Sequence, residues 1–284
     1  MPVIAVVNRK GGSGKSTLAA HLAVWCARQG HAVMLGDVDR QQSTRNWLRR
    51  RDAQFPAIAP WSIDQTNMLR VPAGITHAVL DTPGGLRGFE LARLVIAADA
   101  ILMPVCHSVF DRDSAAACLE ELRTLPKVAD GRCRLATVAM RVDGRTRAAD
   151  ILQEWAAVQK VDMVAALRET QLYVKCLERG LTLFDLPGSQ VAADMAQWQG
   201  ILDWLQPVVS AAEPAPAREP QRLAPTLAAA VRKSPRPDAP APATRSSVLD
   251  AWRTLGPKKP APAVVAEEAP EAGAPAVPQF LRHA

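Results

Sequence analysis

An apolar run, Val3-Ile4-Ala5-Val6-Val7, leads directly into Asn8-Arg9-Lys10-Gly11-Gly12-Ser13-Gly14-Lys15-Ser16-Thr17, after which Leu18, Leu22 and Trp25 recur at helical spacing. A short buried strand, a glycine-rich turn and a helix in that order put the turn at one end of an α/β sheet. Gly11, Gly12 and Gly14 let the backbone wind so that successive amide N–H groups face one anion, backed by the positive end of the helix. Lys15 is then placed to reach β- and γ-phosphates and the Ser16 hydroxyl to hold Mg²⁺, with Ser13 and Thr17 completing the loop. The pattern G-x-x-x-x-G-K-[ST] wants a glycine five positions before Gly14, and Arg9 stands there instead. What this loop has is a second lysine, Lys10, ahead of its glycines.

Lys10-Gly-Gly-Ser-Gly-Lys15-Ser-Thr resembles the deviant Walker A loop of the ParA/MinD family, and two further stretches resemble that family in the expected order. Val33 to Ser43 is similar to its D-x-D-x-Q segment, and His77 to Gly85 to its Walker B strand and switch turn. The 167–190 segment is similar to its late helix and nucleotide-base loop, so the likeness covers about the first 205 residues. It implies a P-loop NTPase fold of α/β class, a mostly parallel sheet with helices on both faces, that takes ATP and Mg²⁺. It also implies that Lys10 crosses a dimer interface to the phosphates held by the other copy. Relatives commonly carry an asparagine where this chain has Met140, and basic residues where it has Thr170 and Val174. Base recognition is therefore expected from backbone groups around Pro187.

The carboxylates follow from chemistry as well as likeness. Asp81 ends an apolar strand, where a buried charge is costly unless paired or near a cation, so a Mg²⁺ contact through water is expected. Asp39 lies past the end of another strand and is expected to orient the attacking water for in-line hydrolysis. The competing role for Asp37 and Asp39 is to cap the next helix. Thr82-Pro83-Gly84-Gly85 can change backbone angles and reads as the nucleotide-sensing switch.

Composition divides the chain near Pro207. Fifteen of the 23 prolines fall at or after that residue, and the stretch lacks sustained apolar periodicity, which predicts a largely disordered tail over 207–284 behind an ATPase domain over 1–206. Two apolar islands, 245–256 and 277–282, are candidate docking motifs within it. After residue 206 there are ten Lys and Arg against seven Asp and Glu, so the tail and the domain each carry half of the +6 net charge. Such a mild excess does not by itself argue for nucleic acid. The five cysteines are scattered without a C-x-x-C pair and predict buried, reduced thiols. An N-terminus that enters a strand at once predicts no secretory leader, and no apolar run is long enough to span a bilayer.

Strands are expected at about 3–7, 32–37, 77–81, 101–105, 134–140 and 161–165, with helices over 16–29, 44–51, 89–97, 113–122, 148–158 and 189–205. In such sheets ligands bind beyond the carboxyl ends of the strands, where the loop, Asp39 and Asp81 all fall. Trp47, Trp61, Trp155, Trp198 and Trp204 are expected in the core.

For function, the resemblance implies a cytoplasmic, nucleoid-associated switch that dimerises on ATP, binds DNA nonspecifically and positions a plasmid, a chromosome region or a protein cargo. A ParB-like or cargo-adaptor protein would stimulate its hydrolysis. The absence of an N-terminal extension fits the short form of the family. Arg141, Arg145, Arg147, Arg168, Lys175 and Arg179 are the candidate phosphate contacts, against a solvated face or ion pairs with Glu169 and Glu178. A MinD-like membrane-positioning ATPase shares every nucleotide motif but relies on a C-terminal amphipathic helix, and the 245–255 stretch is short and only moderately basic. An ATP-dependent ligase or synthetase needs a further acid–base constellation that the sequence does not display.

Overall fold

The computed structural model describes residues 1–38, 41–62 and 71–211; Asp39 and both tail motifs lie outside the described residues. Along the chain run β1 (Val3–Val6), α1 (Lys15–Arg28), β2 (Val33–Asp37), α2 (Ser43–Leu48), β3 (Ile58–Ser62), β4 (His77–Asp81), α3 (Gly88–Ala97) and β5 (Ala100–Val105). They are followed by α4 (Val109–Thr124), α5 (Pro126–Ala129), β6 (Arg134–Val142), α6 (Ala148–Gln159), β7 (Asp162–Arg168), α7 (Gln171–Glu178), a 3-10 turn (Leu183–Asp185) and α8 (Gly188–Ser210).

The seven strands form one sheet in the order β3-β2-β4-β1-β5-β6-β7, with every pairing parallel. Strands buried on both faces need no polar alternation, and β1, β2, β4 and β5 are buried throughout. Leu18, Leu22, Trp198, Ile201 and Leu205 fill the core on one face, under α1 and α8. Leu91, Leu94, Leu119, Leu122 and Leu152 fill the other, under α3, α4 and α6. The phosphate loop follows β1, the central strand, so it opens at the middle of the carboxyl end.

The expected strands and helices are present, and the differences have local causes. Residues 58–62, absent from the expected strands, form β3, and the sheet accepts Pro60 there because β3 is an outer strand. The final helix passes the boundary expected at 206 and runs through Pro207 to Ser210. Buried Val209 holds that last turn down, and its carbonyl meets His77 Nε2 at 3.0 Å. Trp47, Trp155 and Trp198 are buried as expected, while Trp61 and Trp204 are half-buried. All five cysteines are free thiols; burial pushes Cys26 up to about 12 and Cys133 up to about 11.

Candidate functional site

Backbone geometry at residues 8–17 fits an anion cradle. Gly12 and Gly14 have φ of +75° and +97°, so the chain curls before α1 starts at Lys15. Asn8 anchors the loop: its Nδ2 donates to the Pro104 carbonyl at 2.6 Å, and its Oδ1 accepts the Lys10 amide at 2.9 Å. Ser13 is buried, with its hydroxyl 3.3 Å from the Lys10 carbonyl. The two lysines are in different surroundings. Lys15 is buried and donates through Nζ to the Lys10 carbonyl at 2.9 Å, whereas Lys10 is exposed.

Arg9, the residue that breaks the ordinary pattern, has a structural partner. Its guanidinium pairs with Glu121 of α4, and Glu121 also accepts the amide of Gly88 at the start of α3. One carboxylate therefore ties the phosphate loop to the segment after the switch turn. The turn itself lies against the loop: the Gly85 amide donates to the Arg9 carbonyl at 2.7 Å, and a Cβ at Gly84 would meet that oxygen at 3.4 Å. Thr82 is buried and donates to the Val6 carbonyl at 2.7 Å.

Asp81 ends β4 fully buried, in register with Val6 on one side and Asp37 on the other. Ser16 is half-buried in the first turn of α1. Among the described residues no cluster of three or more His, Cys, Asp or Glu could hold a metal by itself. A hydroxyl and a buried carboxylate beside an anion cradle nonetheless suit Mg²⁺, which binds through one or two protein oxygens together with phosphates and water. Asp37 takes the capping role: its Oδ2 accepts the Thr44 and Arg45 amides and the Thr44 hydroxyl at 2.9 to 3.1 Å.

Where base recognition was expected, the sequence departures acquire contacts. Met140 is buried, and a Cβ built on Gly14 would lie 2.7 Å from its Cε, so the methionine packs against the phosphate loop. It lies in an irregular stretch of β6 where the register with β7 shifts and Arg141 adopts φ +54°. Thr170, where a basic residue was expected, caps α7 by accepting the Leu172 amide. Pro187 is exposed and caps α8, just after the 3-10 turn. That turn is braced by Asp185, whose fully buried carboxylate receives Arg51 at 2.8 and 3.0 Å and bonds Thr182 through both amide and hydroxyl. Burial alone pushes this carboxyl up, but those bonds outweigh it and hold it below the usual carboxylate range. A cleft of about 280 Å³ between α1, α2 and α7 opens beside Ser16 and Thr17, walled by Trp47, Arg50, Val174 and Glu178.

The six basic candidates separate. Arg168 has a partner within the chain, its guanidinium making two bonds of 2.7 and 2.9 Å to Asp194, whose side chain is buried. Arg145 pairs with Asp143 and pulls that carboxyl down to about 2, and Arg147 lies near Asp150 and Glu154. Arg141, Lys175 and Arg179 are exposed.

Sequence reasoning missed Asn8, His21, Arg51, Glu121 and Asp185. Only Thr182-x-x-Asp185 carried a local signal, the spacing of a capping box. No helix among the described residues is long and apolar enough to cross a membrane.

Residues 4–196 match the CobQ/CobB/MinD/ParA nucleotide binding domain (CbiA). The chain is 38% identical over 111 residues to the maintenance of carboxysome distribution protein A of Gloeobacter kilaueensis, covering 38% of this chain and 51% of the relative, so only about half of that protein's length is matched. The protein of the same name from Halothiobacillus neapolitanus is 27% identical over 192 residues, covering 64% of this chain and 87% of its own. Among solved structures, a complex of a Cyanothece McdA variant with ATP superposes with a TM-score of 0.56 at 15% identity, over 71% of this chain and 96% of that one.

Proposed function

The chain belongs to the CobQ/CobB/MinD/ParA nucleotide-binding family, and from that premise we propose that it is an ATP-hydrolysing positioning switch that works as an ATP-dependent homodimer on DNA. The observation that carries this reading is the contrast between the two loop lysines. Lys15 is buried in its own cradle, while Lys10 is exposed at the same loop and free to serve a site outside its own chain.

In this reading Gly11 to Thr17 bind the phosphates through backbone amides, Lys15 exchanges its bond to the Lys10 carbonyl for a phosphate oxygen, and Ser16 and Asp81 hold Mg²⁺. When bound, the metal neutralises charge that develops on the transferred phosphoryl group. Asp39 orients the water. Gly84 and Gly85, seated on the Arg9 carbonyl, transmit the state of the phosphate site to α3. Only a triphosphate offers contacts to both copies, so hydrolysis releases the dimer. Relatives named for carboxysome distribution support a protein cargo over a plasmid, with an adaptor protein as the stimulating partner. Arg141, Arg145, Arg147, Lys175 and Arg179 supply sequence-independent phosphate contacts.

Light scattering with and without a nonhydrolysable ATP analogue tests the central claim. The parent should double its mass with the analogue and Lys10→Ala should stay monomeric; an unchanged mass in the parent refutes the dimer. Retention on nonspecific DNA, lost steeply with salt, with no pelleting on anionic liposomes, separates a DNA surface from a MinD-like membrane one. Asp39→Ala should leave a long-lived ATP dimer, and turnover equal to the parent's refutes its assignment.

A further inference from the structure

We propose that His21 is a positioning residue that holds the 182–187 loop at the base end of the nucleotide site, through a bridge from Thr17 in the phosphate-loop helix to Leu183. The inference rests on the nucleotide reading above, together with the expectation that backbone groups around Pro187 meet the base. His21 follows Thr17 by four residues in α1 and is fully buried. Its Nδ1 lies 2.7 Å from the Thr17 carbonyl oxygen, and its Nε2 lies 3.2 Å from the Leu183 amide nitrogen. A carbonyl can only accept and an amide N–H can only donate. The ring is therefore neutral, with its proton on Nδ1 and the Nε2 lone pair facing Leu183.

The ring has no freedom to turn away. It stacks on Trp198 at 5.3 Å and 17°, and meets the edges of Tyr173 at 5.2 Å and Phe184 at 6.2 Å. Trp198 is itself fixed by donating to the Tyr173 hydroxyl at 3.0 Å. Leu183 opens the 3-10 turn that Arg51 braces through Asp185, so the turn is held from α1 on one side and from the chain after α2 on the other. Packing alone would be met by any ring of this size. A bridge needs a donor at one end and an acceptor at the other, and histidine supplies both at this span.

The test uses the 284-residue chain and titration calorimetry with Mg·ATP and with Mg·tripolyphosphate, which has no base. His21→Phe keeps a ring but removes both bonds, and should weaken Mg·ATP by about tenfold, the size of one hydrogen bond, with tripolyphosphate affected less than about twofold. Gln places its terminal group near the former Nε2, and Asn places its own near the former Nδ1. His21→Gln should therefore stay within about threefold of the parent, and His21→Asn should behave like His21→Phe. Equal losses on both ligands, or Gln no better than Asn, overturn the proposal. If the parent binds ATP no tighter than tripolyphosphate, the base-loop reading itself falls; if the parent discriminates and His21→Phe still matches it, only the role of His21 falls. Should the Phe variant not fold, ¹⁵N spectra of the parent decide: a proton on Nε2, or no coupling between Nε2 and the Leu183 amide, overturns the bridge.

Discussion

The two ends of the proposed nucleotide site are built in opposite ways. At the phosphate end, residues 8–17 do the work with backbone amides, positive φ angles and contiguous sequence, and the side chains that matter are within the loop. At the base end, the 182–187 turn is held by His21 and Arg51, from parts of the chain more than 130 positions away. The first end owes its shape chiefly to its own backbone. The second is a junction of the fold, held by packing and by bonds from distant parts of the chain.

That contrast predicts a separation between stability and affinity. The largest effect should come from Asp185→Asn, which leaves buried Arg51 without its charge partner and should cost about 3–5 kcal/mol in denaturant unfolding. A loss below about 1 kcal/mol would mean the base end is no junction. Lys15→Gln should do the reverse: calorimetry should show Mg·ATP binding weakened on the order of 100-fold, with stability changed by about 1 kcal/mol or less.

Acid offers a third probe of the junction. Burial lowers His21 from 6.5 to about 4, opposed by its bond to Thr17 and by the charge of Asp185. Unfolded chain thus takes up this proton near 6.5 and folded chain only near 4. The contribution is whole above about 6.5 and is lost as pH falls through that window, by up to about 1.4 kcal/mol per pH unit. Tyr173, pushed up to about 12 chiefly by burial, stays neutral throughout. His77 is also lowered, first by burial, and adds a slope of the same sign, so the informative comparison is with His21→Gln, whose slope should be shallower. Equal slopes in chemical denaturation would remove His21 from the account.

Smaller effects sharpen the base end further. Met140→Asn should raise the preference for ATP over GTP by about threefold, since it puts an amide where a thioether now packs on Gly14. Competition binding reads this directly, and an unchanged ratio would place the base elsewhere. Arg147→Ala, at an exposed ion pair, should change stability by less than about 0.5 kcal/mol.

Legibility in the sequence follows the same division. The loop, Asp81 and the parallel sheet could all be read because each rests on a contiguous pattern: glycine spacing, an acid closing an apolar run, strands alternating with helices. His21 is one polar residue in an apolar helix, and its bonding partner Leu183 lies outside any local window. Arg168 shows the same limit: its charge is plain in the sequence, but its bond to Asp194, 26 residues on, is not. Pro60 makes β3 hard to read from sequence, since proline disfavours strands in general, and only strand order shows why it is accepted.

Pro60 carries one more implication. An open parallel sheet invites misplaced pairing with other chains along its outermost strand. With the nitrogen of Pro60 unable to donate, an incoming strand would find a rung missing midway up the ladder. Unwanted fusion through main-chain pairing is discouraged there, which would leave the proposed dimer to form at the opening where the glycines curl.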